Sequence, residues 1–199
     1  VKGHPRVILD LCSGLGGASE AFIQHPNWTV IRIEDNPMLN GVPFTHELDV
    51  LAWMDWIDSF PRIDVIWASP PCTGFSWAYN APQAIASRAE LEYDPDMSVV
   101  RACLDIIDYC KPDIWVLENV SGANKFLEPL IGKYKQHLSS FFLWGNFPRI
   151  VANITHRKKD VATGSGDAMR ANKRALIPFE LSRAFLQGIE EQKKLSDYL

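Results

Sequence analysis

No pair among the four cysteines, at positions 12, 72, 103 and 110, has the C-x-x-C spacing. Structural zinc sites and dithiol redox motifs are disfavoured by that absence, no metal is expected, and the four read as reduced thiols. No apolar run approaches the ~20 residues that span a bilayer. The first residues also lack the charged, apolar and cleavage regions in series that direct secretion. Together these absences predict an intracellular, cytoplasmic protein with no membrane partner. No internal repeat occurs, and low complexity is confined to Thr163-Gly164-Ser165-Gly166, which reads as a mobile loop. What is present is ordinary for a folded domain: 199 residues, 47% hydrophobic and 22% charged, enough for one unit over 1–199 with a sizeable core.

The net charge of −4 conceals an uneven distribution. Residues 1–132 carry 8 Lys and Arg against 18 Asp and Glu, whereas residues 133–174 carry 9 against 2. Within that basic segment Lys133, Lys135, Arg149, Arg157, Lys158, Lys159, Arg170, Lys173 and Arg174 are interleaved with Phe141, Phe142, Trp144 and Phe147. Cations with aromatics can neutralise phosphates and stack on bases, although a solvated loop beside core aromatics has the same composition. The pattern divides the domain into an acidic core (1–132), a basic segment that is a candidate recognition region (133–174) and a terminal helical segment (175–199).

Strand and helix patterns alternate. Arg6–Leu11 reads as a first strand, followed by Gly14, Gly16 and Gly17 and an amphipathic stretch over Ala18–Gln24. Trp28–Glu34 gives a second strand, a shorter segment reaches Glu47–Val50, and Asp64–Ser69 is a buried parallel strand. Met97–Cys110 has helical spacing, Asp113–Leu117 is a strand, and Pro178–Gln192 is a helix with proline in its first turn. This rhythm predicts an α/β fold, a doubly wound and mainly parallel sheet of the Rossmann-like type. Residues 78–96 lack sustained periodicity and read as a long loop, a candidate lid.

The chemistry concentrates at strand ends. Pro70-Pro71-Cys72-Thr73-Gly74-Phe75-Ser76 presents a sulfur nucleophile just beyond a buried strand, where ligands of open α/β sheets collect. Most free cysteines are merely small buried hydrophobes. Glu118-Asn119-Val120 ends the next strand, so a partly desolvated carboxyl should face the same crevice, with a raised pKa suited to holding a proton near neutrality. The turn Cys12-Ser13-Gly14-Leu15-Gly16-Gly17 allows close backbone approach to a ligand. Glu34 at the end of the second strand is placed for ribose hydroxyls. The G-x-G-G spacing favours an adenosine-bearing cofactor without pyrophosphate over a dinucleotide. Asp49 could receive an adenine amino group, although an exposed acid in a loop is commonplace.

These residues carry a family resemblance over most of positions 6–185. Leu9-Asp10-Leu11-Cys12-Ser13-Gly14-Leu15-Gly16-Gly17 resembles the first motif of the DNA cytosine-5 methyltransferases. Pro71-Cys72 with Phe75-Ser76 resembles their nucleophile motif, and Glu118-Asn119-Val120 their glutamate motif. Ile177-Pro178 with Leu181 and Ala184 resembles the closing motif. The resemblance implies S-adenosylmethionine as cofactor, S-adenosylhomocysteine as product and double-stranded DNA as partner. It implies cofactor contacts at Asp10, Cys12, Ser13, Gly14, Leu15, Gly16, Gly17, Glu34, Asp35, Asp49, Val50 and Pro70. Cys72 would add to carbon 6 of a flipped cytosine, Glu118 would support ring nitrogen 3, and Asn119 would orient Glu118. Pro71, Phe75, Ser76, Ser87, Arg88, Lys158 and Lys159 are the implied substrate contacts.

Four departures stand out. Cys12 replaces the family's usual aromatic. The Gln-x-Arg-x-Arg motif is missing as such, leaving Arg149 and Arg157 as substitutes. Asn172-Lys173-Arg174-Ala175 stands where the family has a Gly-Asn pair. Only residues 121–174 remain for target recognition, which implies a short recognition sequence or a helper protein, as in compact enzymes of phages and other mobile elements. Two other readings keep part of the pattern: the same chemistry on tRNA or a pyrimidine nucleotide, and a catalytically silent nucleic-acid-binding subunit. Amino-directed methyltransferases are disfavoured, because Cys72 stands where their strand-end motif has an aromatic.

Overall fold

The structure, a computed structural model, describes residues 5–154 and 167–196, the last four as backbone only. Arg157, Lys158 and Lys159 lie outside the described residues. Seven strands form one sheet: β1 (Arg6–Leu11), β2 (Trp28–Glu34), β3 (Thr45–Glu47), β4 (Val65–Ala68), β5 (Ile114–Asn119), β6 (Gln136–Leu138) and β7 (Phe141–Asn146). Their order is β3-β2-β1-β4-β5-β7-β6. The first five are mutually parallel, while β7 runs antiparallel to β5 and β6 antiparallel to β7. The expected doubly wound sheet is therefore present, closed at one edge by an antiparallel hairpin.

Alternation along the strands assigns the two faces. Ile8, Val30, Val65, Trp67 and Val116 point to one side, where helices α1 (Glu20–Ile23) and α6 (Phe179–Ser196) cover them through Phe22, Leu181, Phe185 and Ile189. Val7, Leu9, Leu11, Ile31, Ile33 and Ile66 point to the other, against Cys103, Ile106 and Ile107 of helix α3 (Ser98–Cys110). Phe185 is fully buried, its ring 5.1 Å from Trp67 and 5.9 Å from Phe22. A ring so enclosed contributes about 1.5–3 kcal/mol by burial.

Three sequence expectations need correction. The helix expected over Ala18–Gln24 is a single turn, Glu20–Ile23, because Gly16, Gly17 and Ser19 are committed to tertiary contacts. The stretch 78–96 is not wholly irregular: helix α2 (Pro82–Arg88) begins with proline at its first position and buries Gln83, Ala84 and Ala86. The basic segment begins inside the sheet, since Leu143 and Trp144 of β7 are buried. The aromatics there serve the core.

Arg32 shows how the sequence supports the first turn. It lies on β2, next to the edge strand β3, is 0% exposed, and donates to Ser19 Oγ (2.9 Å), Pro43 O (3.0 Å), Gly16 O and the Glu20 carboxylate (2.9 Å). A buried guanidinium is tolerable only when its donors are met in this way. A Cβ on Gly16 would fall 2.2 Å from the Arg32 guanidinium carbon. Among the described residues no helix is long and apolar enough to cross a membrane.

Candidate active site

The carboxyl ends of β1, β2, β4 and β5 open into one cleft of about 720 Å³. Parallel pairing sets its chemical end. Ala68 of β4 is in register with Leu117 of β5, so Ser69, the first residue beyond β4, lies beside Glu118, which stays in β5 opposite Leu143 of β7. Ser69, Pro70, Pro71, Cys72 and Glu118 all line the cleft. Asn119, 1% exposed, fastens the two loops: its Nδ2 donates to Pro70 O at 3.0 Å, and its Oδ1 accepts from Val120 N at 2.9 Å. Asn119 therefore acts on the cysteine loop rather than on Glu118, which corrects the expected orienting role.

Burial pushes the Glu118 carboxyl up to about 7, opposed by a hydrogen bond with Ser69. Ser69 Oγ in turn accepts from Trp67 Nε1 at 2.9 Å. A core tryptophan thus holds the serine that holds the carboxyl. Ser69 was legible in the sequence only as a small residue ahead of two prolines. Burial, and then the negative charge of Glu118, raise the Cys72 thiol, whereas a hydrogen bond from its own backbone N–H and, less strongly, the charge of Arg174 lower it. Glu118 is thus close enough to influence the protonation of Cys72.

The other end of the cleft is lined by Cys12, Ser13, Gly14, Leu15, Gly17, Glu34, Asp35, Asp49, Val50 and Leu51. Glu34 is a built acceptor: Oε2 takes the Gly14 N–H at 2.8 Å and Oε1 the Asn36 N–H at 3.1 Å. Desolvation raises its pKa, and those two N–H groups oppose the rise. Gly14 has φ +54°, and a Cβ there would meet nothing within 4 Å. Its backbone thus lies open to a ligand. Ser13 is buried and its hydroxyl has no partner among the described residues. An orphaned hydroxyl, a preset carboxylate and an exposed glycine backbone fit an adenosine-bearing ligand with a polar tail. The Asp49 carboxylate accepts from Leu51 N at 2.8 Å as it caps a short 3-10 turn. Cys12, also at positive φ, has its thiol pKa raised well above normal, chiefly by a hydrogen bond with Cys103 and then by burial.

Several expected site residues lie elsewhere. Asp10 is fully buried and accepts from Ser19 Oγ at 2.6 Å. Gly16 makes room for Arg32 instead of lining the cleft. Phe75 is 2% exposed and packs on Phe126 with centroids 5.8 Å apart, so it supports the nucleophile loop from below. Ser76 does line the cleft, as do Ala78, Asn80, Ala81 and Pro82 of the lid segment. Ser87 and Arg88 do not. The Arg88 guanidinium sits 4.2 Å over the Tyr79 ring and donates to Tyr79 O at 2.7 Å, so tertiary contacts hold it away. Arg149 is exposed and off the cleft.

The site's nearest wall is helix α5 (Arg170–Ala175), which contributes Ala171, Asn172, Arg174 and Ala175. It is followed by Leu176 and Ile177. A Cβ on Gly17 would fall 2.2 Å from Ile177 O, so the third glycine of the first turn admits this segment. A model of the C-5 cytosine-specific DNA methylase family matches residues 7–141, covering β1 through the start of β7. The chain belongs to that family. The Frog virus 3 (isolate Goorha) protein named "Probable DNA (cytosine-5)-methyltransferase" is 26% identical over 140 residues, which cover 67% of this chain and 58% of that protein. A crystal structure of a Spodoptera frugiperda DNMT2 mutant aligns with a TM-score of 0.40 and 20% identity, over 60% of this chain and 37% of that one. This methylase-family chain thus spans less than two thirds of the length of either relative. The family match includes the turn 12–17, the Cys72 loop and the Glu118 strand, and it stops short of α5 and Arg174.

Proposed function

We propose that this chain transfers a methyl group from S-adenosylmethionine to carbon 5 of cytosine in double-stranded DNA, with Cys72 as covalent nucleophile. The observation that carries this reading is that Cys72 and Glu118, from adjacent parallel strands, share one cleft with the Glu34 and Ser13 end. Glu34 would hold ribose hydroxyls, Asp49 the adenine amino group, and Ser13 the polar tail. When bound, the cofactor supplies an electrophilic methyl group and leaves as S-adenosylhomocysteine.

The chain's own groups supply the rest. The Cys72 thiolate forms a bond to carbon 6, and the π pair between carbons 5 and 6 moves to carbon 5. Glu118, protonated near neutrality by its burial, gives its proton to ring nitrogen 3, so negative charge does not accumulate on the ring. The pair on carbon 5 takes the methyl group; solvent water then removes the proton on carbon 5, Cys72 leaves as the thiolate, and the proton on nitrogen 3 returns to Glu118, which restores the ring. A stacked cytosine exposes neither face to the sulfur, so the base must be flipped into the cleft. The segment 78–96 would close over it, with exposed Trp77 and Tyr79 at the rim. Residues 147–174 would supply a short recognition surface, alone or with a helper protein.

The test is base-resolution cytosine-modification sequencing of plasmid DNA from cells expressing the chain, beside Cys72→Ala. Modified cytosines that vanish in the variant are expected and would also give the recognition sequence. Modification that persists in Cys72→Ala would sink the covalent mechanism.

A further inference from the structure

The family's arginine motif is missing from this chain, yet a covalent addition to cytosine needs a cation or strong donor near the ring carbonyl. Among the described residues lining the cleft, four carboxylates occur, Glu34, Asp35, Asp49 and Glu118, and only one cation, Arg174. Among the described residues the alternatives are spent or remote: Arg32 is buried with all its partners, Arg88 is held on Tyr79, and Arg149 is off the cleft. On α5 the neighbouring Lys173 is turned to Asp167 at 2.9 Å. Arg174 has no hydrogen bond or ion pair among the described residues, and it is exposed to the open cleft. Its wall is fixed in place, because Ile177 is buried and its carbonyl abuts Gly17.

We propose that Arg174 is the catalytic arginine of this site, stabilising the Cys72 thiolate and donating to the carbonyl oxygen at position 2 of the flipped pyrimidine. The inference rests on the cytosine reading above. When the sulfur bonds to carbon 6, the displaced π pair delocalises towards nitrogen 3 and the carbonyl oxygen. Glu118 meets the first with a proton, and the guanidinium meets the second with N–H donors aimed at charge that develops only during the reaction. The influence of Arg174 on the Cys72 thiol is the sign expected of a cation at this place. A planar fork has donors for both partners that an ammonium lacks.

The experiment has one readout that needs neither DNA nor cofactor. Alkylation of Cys72 by iodoacetamide, read by peptide mass spectrometry across pH, is measured on the full chain and on Arg174→Ala, Arg174→Lys and Arg62→Ala. Methyl transfer to DNA is measured in parallel. Arg174→Ala should move the Cys72 profile to higher pH and lower kcat about 10²-fold. Arg174→Lys should restore the thiol profile without restoring kcat, and Arg62→Ala, beside Asp113 at the opposite end of the sheet from the cleft, should change neither. An unmoved thiol profile would overturn the proposal, as would an effect confined to KM, the mark of a phosphate contact. A wild-type chain that methylates no DNA, while its Cys72 profile still follows Arg174, would refute the cytosine reading and leave the pairing standing. An active wild type with an unmoved profile would refute the pairing alone.

Discussion

Cys72 and Glu118 are set against each other. The thiolate becomes more abundant as pH rises, while the protonated form of Glu118 is lost as pH rises through about 7. Because the thiol titrates above the carboxyl, the kcat/KM profile rises to about 7, where Glu118 begins to ionise, stays level up to the thiol's higher pKa and falls beyond it. Glu118→Gln removes both the transferable proton and the negative charge that raises the thiol. We therefore expect kcat/KM to fall about 10²–10⁴-fold, the break near 7 and the alkaline fall to vanish so that the rate rises until Cys72 is ionised, and Cys72 alkylation in the free protein to become faster near neutrality. Slower alkylation would show that Glu118 activates the sulfur instead of opposing it. At the cofactor end, Glu34→Ala should weaken S-adenosylmethionine binding by about 1–3 kcal/mol, read by calorimetry; unchanged affinity would remove its role. The chemistry-bearing residues were legible because each stands at a strand end in its own short motif. Ser69 and Arg174 were not, because their roles come from neighbours distant in sequence, Trp67 with Glu118 in one case and the cleft wall in the other.

The elements that position these groups were read with uneven success, for physical reasons. Strands β1 and β2 coincide with the sequence reading residue for residue, since runs such as Val7-Ile8-Leu9 are buried on both faces and leave no ambiguity. The hairpin β6–β7 was hidden, because a three-residue edge strand and Lys133, Lys135 and His137 around it look like a solvated loop. The glycine turn carried a subtler ambiguity. Its three glycines suggested three backbone contacts to cofactor, yet only Gly14 has free space where a Cβ would stand; Gly16 accommodates Arg32, and Gly17, although it lines the cleft, accommodates Ile177. Gly17→Ala should then act on the wall, not on the cofactor's own contacts. Its Cβ would press on backbone that cannot swing away, costing about 1–3 kcal/mol in urea unfolding and displacing α5 with Arg174. An alanine variant of wild-type stability would mean that the 176–177 segment sits further from the turn.

On the scale of the whole molecule, charge is the property that the sequence made most visible and that the fold redistributes most. The basic stretch 133–174 is not a uniform cationic surface. Lys135 donates to Phe147 O and stacks on its ring, Lys173 pairs with Asp167, and Lys133 lies 3.9 Å from Glu128. Arg174 faces the cleft. The cations left for a DNA backbone are Arg149 and Arg170, together with Arg157, Lys158 and Lys159, which lie outside the described residues. A duplex held by so few contacts should show a modest salt dependence, since each neutralised phosphate contributes about −0.9 to the slope of log K against log salt. Changing Lys158 and Lys159 together to Gln should flatten that slope by about 2 while leaving S-adenosylmethionine affinity intact, because the cofactor end of the cleft draws on residues 12–51. An unaltered slope would place those lysines away from the duplex and transfer the contact to Arg149 and Arg170, whose replacement by Gln should then produce the flattening instead.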